Sequence, residues 1–129
     1  MTGAHKLPSL SETQWEIMNL IWDQAPRSVG EVWQVLKKRR GVSRNTVQTQ
    51  MVRLEEKGWL THQEDDAGFR YFPTVSREES QENSVKRFVK TVFGGSSEGL
   101  LLALLSGGEL SQEEAARIRA IINSQGKKK

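Results

Sequence analysis

Apolar positions along the chain recur at helical spacing in its first sixty residues, switch to alternation for about fifteen, and then return to helical spacing. Trp15, Met18 and Trp22, with Ile17 and Ile21 beside them, form a wide stripe, which predicts a central helix from about Glu12 to Gln24. Ser11 and Gln14 have capping-box spacing, Leu10 and Trp15 that of a hydrophobic staple, and Ala25-Pro26 ends the helix. A second box, Ser28-Val29-Gly30-Glu31, opens a short helix with Val32, Val35 and Leu36 inward, which closes in Lys37-Lys38-Arg39-Arg40 and Gly41. The stretch Ser43–Gly58 has two unlike faces. Val47, Met51 and Leu54 are apolar, while Asn45, Gln48, Thr49 and Arg53 gather opposite them. Ser43 suits an N-cap and Gly58 a C-terminal stop.

Beyond Gly58 the period becomes two. Trp59–Gln63 and Phe69–Phe72 read as strands, joined by the turn residues Asp65-Asp66-Ala67-Gly68 and closed by Pro73. From Ser76 the chain is helical again. Capping-box spacing recurs at Ser76–Glu79 and Ser111–Glu114, and glycine pairs at 94–95 and 107–108 separate three short helices. Their stripes are Val85, Phe88, Val89 and Val92, then the leucines of Ser97–Ser106, then Ile118, Ile121 and Ile122.

Two short helices around a tight, glycine-containing turn form a helix-turn-helix, and the hairpin after them is a wing. The expected fold is mainly α with a small β-hairpin wing. A winged helix-turn-helix DNA-binding domain spans 7–75, a C-terminal three-helix dimerisation domain spans 76–124, and the termini 1–6 and 125–129 are flexible; residues 1–9 read as a loose arm. About fifty residues of short amphipathic helices bury too little surface to be stable alone. A second copy sharing one core meets that need, with Val85, Phe88, Val89, Val92, Leu101, Leu104, Leu105, Ile118 and Ile121 at the interface. The rival arrangement packs these helices back on the winged domain.

Composition narrows the chemistry. The 129 residues hold no cysteine, which excludes disulfides, thiolate metal sites and cysteine nucleophiles. Of the two histidines, His5 lies near the terminus and His62 on a half-exposed strand position, so no metal site and no cofactor are expected. No signal peptide is evident. The longest apolar run, Leu100–Leu105, falls far short of a bilayer span, so a cytoplasmic protein without membrane insertion is expected. The glycines of 94–99 lack a phosphate-binding lysine and follow no strand, and Asp65-Asp66 suits a solvated turn. Nothing points to an enzyme.

The net charge of +3 is unevenly placed, because Lys37–Lys57 holds seven basic residues against two acidic ones. That is the footprint of a nucleic-acid binder, although a solvated basic face has the same composition. On this reading Asn45, Gln48 and Thr49 face base edges. Lys38, Arg39, Arg40, Ser43, Arg44, Thr46 and Arg53 hold the DNA backbone, with Arg70 of the wing reaching a phosphate or the minor groove. A winged helix acting only on other proteins is the alternative. Retention on heparin or duplex DNA with steep salt dependence separates the two.

Three motifs carry a resemblance: Leu10-Ser11-Glu12-x-x-Trp15-Glu16-Ile17-Met18-x-x-Ile21-Trp22, Val29-x-Glu31-Val32, and Thr46-Val47-x-Thr49-x-x-x-Arg53-Leu54-x-x-Lys57-Gly58. With Val75–Glu79, Phe93-Gly94-Gly95 and Leu110–Glu114, their order and spacing resemble the penicillinase-repressor family (BlaI/MecI type) over residues 7–124. The resemblance implies a dimeric winged-helix repressor on a palindromic operator of double-stranded DNA. The regulated genes would be those for β-lactamase, altered penicillin-binding protein, or other stress and transport functions. In the best-known members a membrane sensor-protease pair induces by cutting the dimerisation domain at an Asn-Phe pair. The equivalent place here is Ala103-Leu104, which departs from that pair. A related branch senses copper through C-terminal cysteines, which this chain lacks.

Overall fold

The computed structural model describes residues 7–126. Elements follow in the order α1 (Glu12–Asp23), α2 (Val29–Arg40), α3 (Arg44–Glu56), β1 (Leu60–Asp65), β2 (Gly68–Pro73), α4 (Arg77–Val92), α5 (Ser97–Ser106) and α6 (Gln112–Gly126). The chain forms two compact units, one ending at Ser84 and the other beginning at Val85. The break thus falls inside α4, beyond residue 76 where the change of pattern lies. The first turns of α4 are tied to the winged unit, where Arg77 donates to the Asn19 carbonyl at 2.7 Å and to the Asp23 carboxylate at 2.6 Å.

Local sequence starts each helix of the winged unit. Both capping boxes form: the Gln14 amide donates to Ser11 Oγ and the Glu31 amide to Ser28 Oγ, with the Gln14 and Glu31 side chains returning to the cap amides. Gly41 ends α2 in the left-handed region at φ 67°. Gly58 takes φ 91°, a conformation that favours glycine, and an added Cβ would lie 3.1 Å from Leu7 Cδ2, which would have to give way.

α1, α2 and α3 enclose one core with the hairpin. Ile17, Met18, Ile21, Val32, Leu36, Met51 and Leu54 are completely buried, and Trp59, Leu60 and Tyr71 close the core from the sheet side. Beside it Trp15, Trp22 and Trp59 form an aromatic cluster with ring centroids 6.0–6.5 Å apart. Indole N–H groups fasten the flanking loops: Trp22 donates to Val75 O, Trp33 to Val42 O and Trp59 to Pro8 O.

The expected loose arm is therefore corrected over residues 7–9. Leu7 belongs to the core, Pro8 accepts from Trp59, and the Ser9 carbonyl accepts from Lys57 Nζ at 3.0 Å. Residues 1–6 and 127–129, with His5 among them, lie outside the described residues, and α6 continues to Gly126.

The hairpin is antiparallel, pairing Leu60 with Pro73 through Asp65 with Gly68. The loop between α1 and α2 adds a third edge, because Arg27 and Tyr71 exchange backbone hydrogen bonds of 3.1 and 2.8 Å. The winged helix-turn-helix followed by a helical C-terminal region is the fold that the pattern predicts. Among the described residues no single helix is long and apolar enough to cross a membrane.

Candidate nucleic-acid interface

α3 is fixed by its inner face and capped at its start, which leaves its outer face rigid and free. Val47, Met51 and Leu54 are at most 1% exposed. Ser43 Oγ accepts from the Thr46 amide at 3.1 Å and lies 2.9 Å from the Thr46 hydroxyl, so these two side chains engage each other at the helix start. On the flank, Gln14 Nε2 of α1 donates to Gln50 Oε1 at 3.0 Å, setting the register of α3 against the scaffold. The outer stripe of Asn45, Gln48, Thr49, Val52, Arg53 and Glu56 lines a shallow open depression.

The wing stands beside the N-terminal half of this helix. A second concavity is lined by Ser28 and Val29 of the α2 start, Arg44 and Gln48 of α3, and Ala67, Gly68 and Phe69 of the wing tip. Asp65 Oδ1 tightens the tip by accepting from the Ala67 amide at 2.8 Å. At the other end of α3, the Glu55 carboxylate lies 2.7 Å from His62 Nδ1 of β1. The His62 ring stacks on Phe69 at 4.3 Å. Burial, and then the nearby Glu55 charge, pushes the Tyr71 phenol above its ordinary range.

The seven cations of 37–57 are not equivalent. Lys38, Arg39, Arg44 and Arg53 are exposed and, among the described residues, have no carboxylate in ion-pair range. Arg40 is instead held by Glu16 and, at 3.3 Å, Glu12 of α1. Lys57 donates inward to Ser9 O and to Gln14 Oε1 at 2.8 Å, and Lys37 lies over the Trp33 ring at 4.7 Å. Arg70 does not project from the tip: it pairs with Glu31 at 2.8 Å and with Asp65 at 3.6 Å. Glu31 is held below the usual carboxylate range chiefly by the Ser28 backbone N–H; burial opposes this, and the Ser28 hydroxyl and the charges of Arg70 and Arg27 add smaller lowering effects.

Two exposed apolar side chains at this surface, Val52 and Phe69, escaped the sequence reading. Val52 was findable from spacing alone, since it stands four residues after Gln48 and three after Thr49.

The unit from Val85 on presents a different surface. Val85, Phe88, Val92, Leu101, Leu105 and Ile121 are all more than a third exposed, as are Leu102 and Ile122. Leu104 and Ile118 are half-buried, and Val89, expected on the shared face, is already buried within the single chain. An apolar groove between α5 and α6 is lined by Leu101, Leu105, Leu110, Ala115, Ile118, Arg119 and Ile122. Ala103 and Leu104 lie in mid-helix in α5.

A core-anchored helix with a free polar face, preceded by a tight helical turn and followed by a wing, defines a winged helix-turn-helix protein. The family model described as "Penicillinase repressor" matches residues 10–124. The chain belongs to the penicillinase repressor family, whose members are DNA-binding transcriptional repressors. It is 28% identical over 121 residues to the methicillin resistance regulatory protein MecI of Mammaliicoccus sciuri, covering 94% of this chain and 98% of that relative. To the penicillinase repressor of Bacillus licheniformis it is 28% identical over 124 residues, covering 96% and 97%. The solution structure of monomeric Bacillus licheniformis BlaI in complex with the blaP half-operator superposes with TM-score 0.51 at 32% identity, covering 57% of this chain and 90% of that one.

Proposed function

We propose that this chain is a sequence-specific transcriptional repressor that binds a palindromic operator as a homodimer, in the manner of regulators of β-lactamase and penicillin-resistance genes. The observation that carries the reading is the outer stripe of α3, polar and exposed on a helix whose inner face is completely buried. Such a helix enters the major groove without reorganising, and Asn45, Gln48 and Thr49 face the base edges there. Glutamine and asparagine suit adenine bidentately, and a threonine methyl suits thymine. Lys38, Arg39, Arg44 and Arg53, which have no carboxylate partner among the described residues, hold phosphates on either side, with Ser43 and Thr46 at the helix start. Arg40 and Arg70 orient α2 against α1 and the wing and contribute less to DNA. The BlaI half-operator complex supports the DNA ligand, and the exposed apolar face from Val85 on supports the second copy.

Gln48→Ala and Arg53→Ala separate reading from holding. Gln48→Ala costs about 1–3 kcal/mol on the preferred duplex and relaxes sequence preference. Arg53→Ala weakens all duplexes alike and lowers the salt slope by about one. Titrations against preferred and scrambled duplexes at several salt concentrations measure both. A Gln48→Ala variant with unchanged affinity and preference would remove α3 from the groove. A wild type that binds every duplex equally weakly would favour a protein-interaction module instead.

A further inference from the structure

We propose that Val52 is a specificity-determining contact, seating its methyl groups against the C5-methyl of a thymine one turn of α3 beyond the base read by Gln48. The inference rests on α3 lying in the major groove, as above. Val52 is 43% exposed, and among the described residues of the winged unit only Phe69 is a comparably exposed large apolar side chain. Phe69 is spoken for by the His62 ring stacked on it at 4.3 Å, whereas Val52 stands in an otherwise polar depression with Asn45, Gln48, Thr49, Arg53 and Glu56.

Position and chemistry agree. A helix rises 1.5 Å per residue, so Val52 lies about 6 Å along α3 from Gln48, roughly two base steps of 3.4 Å. Valine offers no hydrogen bond, and in the major groove thymine alone presents an apolar group. Cytosine at that place would leave its amino donor facing methyls, and a purine would leave N7 unpaired, so discrimination comes from rejection as well as contact. A β-branched side chain in a helix holds one dominant rotamer, so the methyls are set before DNA arrives.

The test starts with the duplex that the wild-type protein selects from a random-sequence pool. Each thymine is replaced in turn by deoxyuridine, which removes only the C5-methyl. Wild type should lose about fourfold in affinity, the worth of one buried methyl, at a thymine in each half-site other than any read by Thr49. Val52→Ala, at an exposed position that leaves the core intact, should become indifferent to the swap there while keeping the preferences that depend on Gln48. Penalties unchanged in Val52→Ala, or absent in wild type although a consensus was selected, would overturn the assignment of Val52 alone. A pool from which no consensus emerges would overturn the groove reading beneath it.

Discussion

Thirteen apolar residues of the winged unit form a buried cluster at most 8% exposed, whereas from Val85 on Val89 is the one large apolar residue so buried among the described residues. Of ten exposed large hydrophobics among the described residues, eight lie beyond Ser84. The stripes in the sequence look alike in the two regions, so periodicity alone does not separate them. What separates them is enclosure. Three helices, a hairpin and the Arg27 edge surround the winged core on every side. α5 carries leucine on nearly every side, and none of these leucines is fully buried. Contiguous exposed apolar patches commonly mark sites of association, which is why the proposed second copy is placed on this face. The winged unit encloses its own apolar surface and leaves the polar face of α3 open, while the second unit leaves apolar side chains exposed.

That contrast breaks first at the C-terminal face. Leu105→Asp, at a proposed interface position 49% exposed, should leave the winged unit folded and yield a monomer. Operator affinity should then drop by roughly 10²–10⁴, the gain expected from linking two half-site readers. Gel filtration with a binding titration measures both. A dimer that survives Leu105→Asp would move the interface off α5. In the winged core the same logic runs the other way. Met51→Ala, at a residue with no exposed surface, should cost about 2–5 kcal/mol of stability and displace α3 from its seat. Denaturant unfolding reads the cost, and a loss under 1 kcal/mol would show that the α3 contact tolerates loosening.

The smallest expected effect lies at the α2 start. The depressed carboxyl of Glu31 means that the folded chain binds its proton less readily than the unfolded chain does. Its contribution to stability is complete above the ordinary carboxylate range and is lost as pH falls through the lowered value. Glu31→Gln should therefore flatten the acid limb of the stability profile slightly, the effect being limited because the side chain is 50% exposed. An acid limb identical in variant and wild type would show that the Glu31 carboxylate, held first by the Ser28 backbone N–H, contributes nothing to stability.

Much of this molecule was legible because its signals are local. Ser11 with Gln14, Ser28 with Glu31 and the alternation after Gly58 each specify geometry within a few residues; both capping boxes form, and the hairpin forms with its strands extended to Asp65 and Gly68, two residues that read as turn. The polar stripe of α3 emerged because Val47, Met51 and Leu54 define the opposite side. The rest depends on partners distant in sequence. A charge tally treats Arg40 and Lys57 like Arg44, but Glu16 and Gln14 of α1 draw the first two away from the outer surface. Arg70 at a wing position looks free until Glu31, thirty-nine residues earlier, pairs with it. The Arg27–Tyr71 bridge leaves no periodic trace in a one-residue edge, and the unit boundary hides inside a helix whose pattern is continuous.

Sedimentation equilibrium of the intact wild-type chain, alone and with its selected palindromic duplex, bears most directly on the link between the two units. A mass twice the 14.6 kDa of one chain, and two chains per duplex, is the expected result. A 14.6 kDa species at micromolar concentration that still binds the full duplex one to one would contradict it.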